Sequence, residues 1–242
     1  TEDYNGHKQE GFGVMEQTIF NGQRWSSANA YLRPALKRKN VTLLRGLVQK
    51  IITKQKVAIG VDVQIGDEKI RISSNKEIIL AASAINSPKL LMQSGIGPAA
   101  HLQSLGIDVI ADRPGVGSNL QDHLEVYVQQ ACSQPITLFK YWNWISKLRI
   151  GMQWILTKKG FGGSNHFESA AFVRSNSGVR YPDIQFHFLP FAIRYDGTAP
   201  KEGHGFQIHV GPMRSSSRGT VRLKSKNFNI APEIKFNYMS GD

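Results

Sequence analysis

The chain has 242 residues, 40% of them hydrophobic and 10% aromatic, with 23 glycines and 10 prolines. That length carries one large domain or two modest ones, and the composition is neither low-complexity nor fibrous. The formal net charge is +12, and the single cysteine, Cys132, excludes an internal disulfide and a cysteine-built metal centre.

Eight bases and no acid lie between Tyr31 and Gly60: Arg33, Lys37, Arg38, Lys39, Arg45, Lys50, Lys54 and Lys56. Such a cluster suits nucleic acid, an anionic surface or an acidic partner. A solvated helix face with strand edges, its charge balanced by other surface, is the favoured explanation. Because neither zinc-finger spacing nor aromatic-rich RNA-binding strands accompany the charge, no nucleic-acid partner is expected. No apolar run reaches the length of a membrane span, and the start at Thr1 is neither a signal peptide nor an initiator methionine. With an end at Ser240-Gly241-Asp242, just past a strand-like stretch, it reads as truncation at both ends.

In chain order, residues 13–20 alternate as a strand does, and Ser26-Ser27 opens a helical stretch to Leu36 with serine as N-cap. Five β-branched runs follow, at 41–44, 48–53, 57–65, 69–73 and 77–80, with a hairpin at Gly66-Asp67. A small-residue loop, 81–88, leads into a short helix over 89–93, capped by Asn86 or Ser87 with Pro88 in its first turn. A second short helix is predicted over 98–105 and a short strand over 109–111. Residues 123–132 read as a strand and 142–157 as an amphipathic helix. Strands follow at 167–173, 184–189, 206–213 and 219–223. The expected fold is α/β (α+β), with the domain joint at the turn-rich Arg113-Pro114-Gly115-Val116-Gly117. This gives a β-rich cofactor-type domain over 1–118 and an antiparallel sheet with flanking helices over 119–242.

One motif is specific. Ser83-Ala84-Ile85-Asn86-Ser87-Pro88-Lys89-Leu90-Leu91-Met92-Gln93-Ser94-Gly95-Ile96-Gly97 resembles a sequence signature of the glucose–methanol–choline (GMC) oxidoreductase family at every defining position. Pro114-Gly115-Val116-Gly117-Ser118-Asn119-Leu120-Gln121-Asp122-His123 and Ser217-Arg218-Gly219-Thr220-Val221-Arg222-Leu223 resemble later family segments. Gln9-Glu10-Gly11-Phe12-Gly13, Ser164-Asn165-His166-Phe167-Glu168 and His209-Val210-Gly211-Pro212-Met213 point to its choline-oxidising branch. The resemblance implies part of an FAD-binding Rossmann-like domain and part of a substrate domain. It further implies hydride transfer from a primary alcohol, choline foremost, to FAD. The family's GxGxxG fingerprint and its late catalytic histidine are not found in these residues, so the chain alone is expected to be inactive and to bind flavin weakly.

In the predicted strand from His123, side chains alternate, so His123, Glu125 and Tyr127 share one face. A quaternary ammonium donates no hydrogen bond and is held by charge and aromatic faces. The resemblance therefore assigns substrate binding to Glu125, Phe167 and His123. It also assigns hydrogen bonding at the substrate hydroxyl to His187, which shares a strand face with Gln185. An ordinary salt bridge for Glu125 and a structural role for either histidine are the alternatives. His166 and His209 are read as structural. Main-chain contacts to FAD are implied at Val48, Ala81 and Ala82.

No metal site is expected, since none of the seven histidines makes a His-x-x-x-His pair, and no Gly-x-Ser-x-Gly elbow is present. The resemblance leaves the electron acceptor as oxygen or a membrane quinone and allows a homo-oligomer. It leaves the location cytoplasmic or membrane-associated for a bacterial protein and mitochondrial for a eukaryotic one.

Overall fold

The computed structural model describes residues 1–194 and 203–241. Its strands are β1 (Gly11–Val14), β2 (Ile19–Phe20), β3 (Gln23–Arg24), β4 (Leu47–Lys54), β5 (Val57–Ile65), β6 (Glu68–Ser73), β7 (Ile96–Gly97) and β8 (Ala111–Asp112), then β9 (Val126–Ala131), β10 (Ser169–Val173), β11 (Ile184–Leu189), β12 (Gly205–Pro212), β13 (Thr220–Arg222) and β14 (Glu233–Lys235). The α-helices are α1 (Arg33–Ala35), α2 (Ser83–Gln93), α3 (Ala99–Ser104) and α4 (Trp144–Thr157).

These elements form two compact units, each made of two stretches of chain. One holds Thr1–Thr42 with His123–Arg214, the other Leu43–Asp122 with Ser215–Asp242. The division thus differs from the contiguous 1–118 and 119–242 halves expected from the sequence. Strand pairing is the physical reason. β1 adds to the edge of the sheet formed by β9–β12, and β13 returns to Leu120 through a bridge at Gly219.

The first unit is built on an antiparallel sheet in the order β1-β10-β11-β12-β9. Its cross-strand register sets Gly13, Ala170, His187, His209 and Tyr127 in one row. Because side chains alternate, the same face carries Gln129 and Gln207 one row away and Gln185 the other way. The opposite face carries Phe12, Val126, Val128, Phe186, Phe188 and Ile208, an apolar alternation of the kind expected of a sheet with two different sides. The stretch expected as a helix from Ser26-Ser27 to Leu36 is helical, a five-residue π-helix over Ala28–Leu32 running straight into the three-residue α1, with the Arg33 N–H on the Ala28 carbonyl. Pro34 lacks the N–H that a regular helix would use there.

The second unit begins with the meander β4-β5-β6. Its second turn is Gly66-Asp67, with Gly66 at φ 59°, as the hairpin reading expected. α2 starts at Ser83, six residues before the predicted helix, and encloses Pro88. Ser87 does not cap the helix. Its Oγ accepts the Ala82 N–H at 3.0 Å. Residues 77–80 form no strand, with no described strand paired to them, and Ile79 is left 82% exposed. Residues 41–44 likewise form no strand. The core is Met92, Leu102 and Leu223, with Leu105, Ile107, Val109 and Val116 packed on it.

The signature residues explain that core. Ser94 is wholly buried, accepts the Ile51 N–H at 2.8 Å and donates to the Leu90 carbonyl at 2.6 Å, tying α2 to β4. Lys89 donates to the Phe228 carbonyl at 2.6 Å and sits 4.3 Å above its ring; burial lowers the Lys89 pKa. Gln93 donates to the Ser225 carbonyl at 3.0 Å. Gly95 has φ 81°, and a Cβ there would fall 2.4 Å from the Asp108 carbonyl oxygen. Any other residue would be strained and would clash.

Candidate functional site

The polar face of the five-stranded sheet collects most of the predicted substrate-site residues. Glu125 immediately precedes β9, where Gly211 on β12 lets the two backbones approach: a Cβ on Gly211 would stand 3.0 Å from the Leu124 carbonyl and 3.7 Å from the Glu125 Cα. The Glu125 side chain is 45% exposed, and its Oε1 lies 2.5 Å from Nδ1 of His209. No lysine or arginine among the described residues forms an ion pair with it.

His209 is 3% exposed and is the centre of the group. Beyond Glu125, its ring stacks on Tyr127 at 5.9 Å and receives the edge of Phe167 at 5.6 Å. Phe167 also meets His187 edge-on at 6.1 Å. It stands in the loop before β10 and not in the strand, held by its N–H to Asn165 Oδ1 and its carbonyl to Gln17 Nε2. His187 faces His209 directly across β11 and β12, with Nε2 2.6 Å from the Gln185 amide. Its Nδ1 has no hydrogen-bond partner among the described residues. Burial is the largest cause and lowers the His187 pKa, against the opposing pull of the neighbouring Glu125; the net shift is downward. A neutral imidazole with a nitrogen to spare, beside a carboxylate and two aromatic rings, can bind a hydroxyl while the carboxylate attracts a cation.

His123 does not join this group. β9 begins only at Val126, so the alternation that would align His123 with Glu125 does not extend to it, and its exposed side chain makes no hydrogen bond among the described residues. His209 is the reverse case, expected to be structural and found in contact with Glu125, Phe167 and Tyr127. A signal for it was present in the sequence. Gln207-Ile208-His209 repeats the Gln-apolar-His pattern of Gln185-Phe186-His187 on the adjacent strand.

Val48, Ala81 and Ala82 lie in the second unit. Val48 is half-buried on β4, an edge strand whose outer side has no strand partner among the described residues, Ile51 N–H being taken by Ser94. Ala81 is exposed, and Ala82 occupies the N-cap position of α2, where no side chain caps the helix. Small residues at an uncapped helix start, beside an edge strand, fit a dinucleotide held through the backbone. A cleft of about 1200 Å³, lined by Lys50, Lys69, Arg71 and Lys226 among others, holds none of the expected residues. Chemistry rather than volume therefore locates the site. No group of three or more histidine, cysteine or acidic residues able to hold a metal occurs among the described residues, and none of their helices is long and apolar enough to cross a membrane.

Comparison with known proteins agrees with the signature. A GMC oxidoreductase family model matches residues 1–125. The chain is 66% identical over 240 residues to a protein of Brucella ovis named oxygen-dependent choline dehydrogenase, covering 99% of this chain and 44% of that protein. A protein of the same name from Sinorhizobium medicae is 57% identical over the same shares. Among solved structures, formate oxidase from Aspergillus oryzae RIB40 superposes with a TM-score of 0.86 at 23% identity, over 95% of this chain and 44% of that one. Pyridoxine 4-oxidase from Mesorbium loti gives 0.76 at 26% identity, over 95% and 42%. The chain thus spans less than half the length of these relatives. From its signature, its fold and the family match over residues 1–125, the chain belongs to the GMC oxidoreductase family.

Proposed function

We propose that the full-length protein oxidises choline to betaine aldehyde with FAD as its cofactor. The observation that carries this is Glu125, a part-exposed carboxylate without a lysine or arginine partner among the described residues, which shares His209 as a contact with Tyr127 and Phe167 on the polar sheet face. The 66% identity to oxygen-dependent choline dehydrogenase supports the reading, as does the family's acceptance of alcohols. A neutral alcohol would have no use for a charge in that position.

FAD, when bound, accepts the hydride from the alcohol carbon. Main-chain groups of Val48, Ala81 and Ala82 would hold it, the two alanines leaving the α2 N-terminus open. Glu125 and the aromatic ring of Phe167 would orient the trimethylammonium group. His187, kept neutral by burial, would hold the substrate oxygen by a hydrogen bond and stabilise the negative charge that grows there. Oxygen is the proposed electron acceptor, by the names of the relatives.

The test is Glu125→Gln in the full-length enzyme. The choline KM rises at least tenfold, about 1.4 kcal/mol. The KM for the uncharged isostere, in which tert-butyl replaces trimethylammonium, stays within twofold. An unchanged choline KM would remove the cation-site assignment. Oxygen uptake without added quinone checks the acceptor.

A further inference from the structure

We infer that His209 is a positioning residue, held as its Nδ1–H tautomer by a one-way chain of hydrogen bonds, so that it fixes Glu125 while leaving the carboxylate's charge intact. The inference rests on the reading of Glu125 as the cation site.

The direction of each bond follows from a backbone group at the start of the chain. The Ile193 carbonyl can only accept, so the Gln129 amide nitrogen, 2.6 Å away, must donate to it. That orients the Gln129 amide, whose nitrogen also donates to Gln207 Oε1 at 2.9 Å. The Ile193 N–H can only donate, and it too reaches Gln207 Oε1, at 3.0 Å. Two donors on one oxygen fix the Gln207 amide and turn its nitrogen to His209 Nε2, 2.6 Å away. Nε2 therefore accepts, and the ring proton is placed on Nδ1. From there it donates to Glu125 Oε1 at 2.5 Å.

The burial of the group enforces this order. Gln207 is 0% exposed and His209 3%. A second proton, on Nε2, would point at the hydrogens of the Gln207 amide nitrogen 2.6 Å away. A cationic His209 would neutralise Glu125. A neutral one orients it and leaves a full negative charge for a cationic substrate.

The experiment pairs two variants of the full-length flavoenzyme. An asparagine amide nitrogen reaches the position of Nδ1, and a glutamine amide nitrogen that of Nε2. His209→Gln raises the choline KM about tenfold while the KM of the uncharged isostere changes less than twofold. His209→Asn recovers most of the loss. Gln207→Glu, which would accept a proton from Nε2 and favour cationic His209, raises the choline KM and spares the isostere. Equal losses for both alcohols in His209→Gln, or Asn no better than Gln, would overturn the inference. Should the His209 variants not fold, Gln207→Glu with an unchanged choline KM would overturn it alone. If Glu125→Gln itself leaves the choline KM unchanged, the cation-site reading fails first. If that variant behaves as proposed and His209→Gln does not, only the positioning role falls.

Discussion

The signature segment of the second unit and the polar sheet face of the first are both rich in polar side chains, yet these do different work. Around α2, Ser94, Lys89 and Gln93 bond almost entirely to backbone carbonyls and N–H groups, and their yield is a fixed helix. On the sheet, Gln129, Gln207 and His209 bond onward to one another, and their yield is a carboxylate facing outward. The contrast separates what identifies a family from what is proposed to select a substrate. A residue can be diagnostic because the fold needs it, with no part in chemistry.

Substitutions should break the two regions in different ways. The largest effect is expected at Gly95→Ala, where φ 81° and a Cβ 2.4 Å from a carbonyl oxygen combine strain and clash. A loss of about 3 kcal/mol is expected in urea unfolding, with the KM ratio of choline to its uncharged isostere unaltered in the protein that folds. Ser94→Ala removes the buried acceptor of the Ile51 N–H and should cost about 2 kcal/mol by the same assay. Glu125→Gln should cost little in stability, with its penalty confined to choline KM at about 1.4 kcal/mol. A substrate-selective effect from Ser94→Ala, or an unfolding effect from Glu125→Gln as large as that of Gly95→Ala, would erase the distinction.

The smallest effect concerns pH. Burial lowers the His187 pKa below its usual 6.5. As pH falls through 6.5, the unfolded chain takes up a proton that the folded one refuses, so stability falls until the folded pKa is reached and then levels. Replacing His187 by Gln should flatten the drop in urea midpoint between neutral and mildly acid pH. An unchanged slope would show that His187 does not titrate in this range.

Much of the second unit was legible because its instructions are local. The Gly66-Asp67 turn, the β-branched runs of β4 and β5 and the end of α2 at Gln93 each announce themselves within a few residues, whereas the start of α2 at Ser83 does not. Residues 77–80 deceived for the same reason, since β-propensity without an adjacent strand makes no ladder. The sheet face was half legible. Alternation correctly paired Glu125 with Tyr127 and Gln185 with His187. It over-extended to His123, because the strand begins three residues later. His209 escaped because its partners come from β9, from β11 and from the loop carrying Phe167, and no single window of sequence contains them.

The pairing of Gly11 with Phe172 has a consequence in time. The meander β4-β5-β6 closes through two short turns and can form within microseconds. β1 must instead wait for β10, whose residues are made long after its own, and pays the entropy of closing the intervening loop before any ladder bond rewards it. Until then Phe12 and Val14 travel on an unpaired strand, a standing invitation to pair with another chain. Aggregation during synthesis, more than loss of the finished fold, is the hazard this sheet order sets for mutations in the first strand.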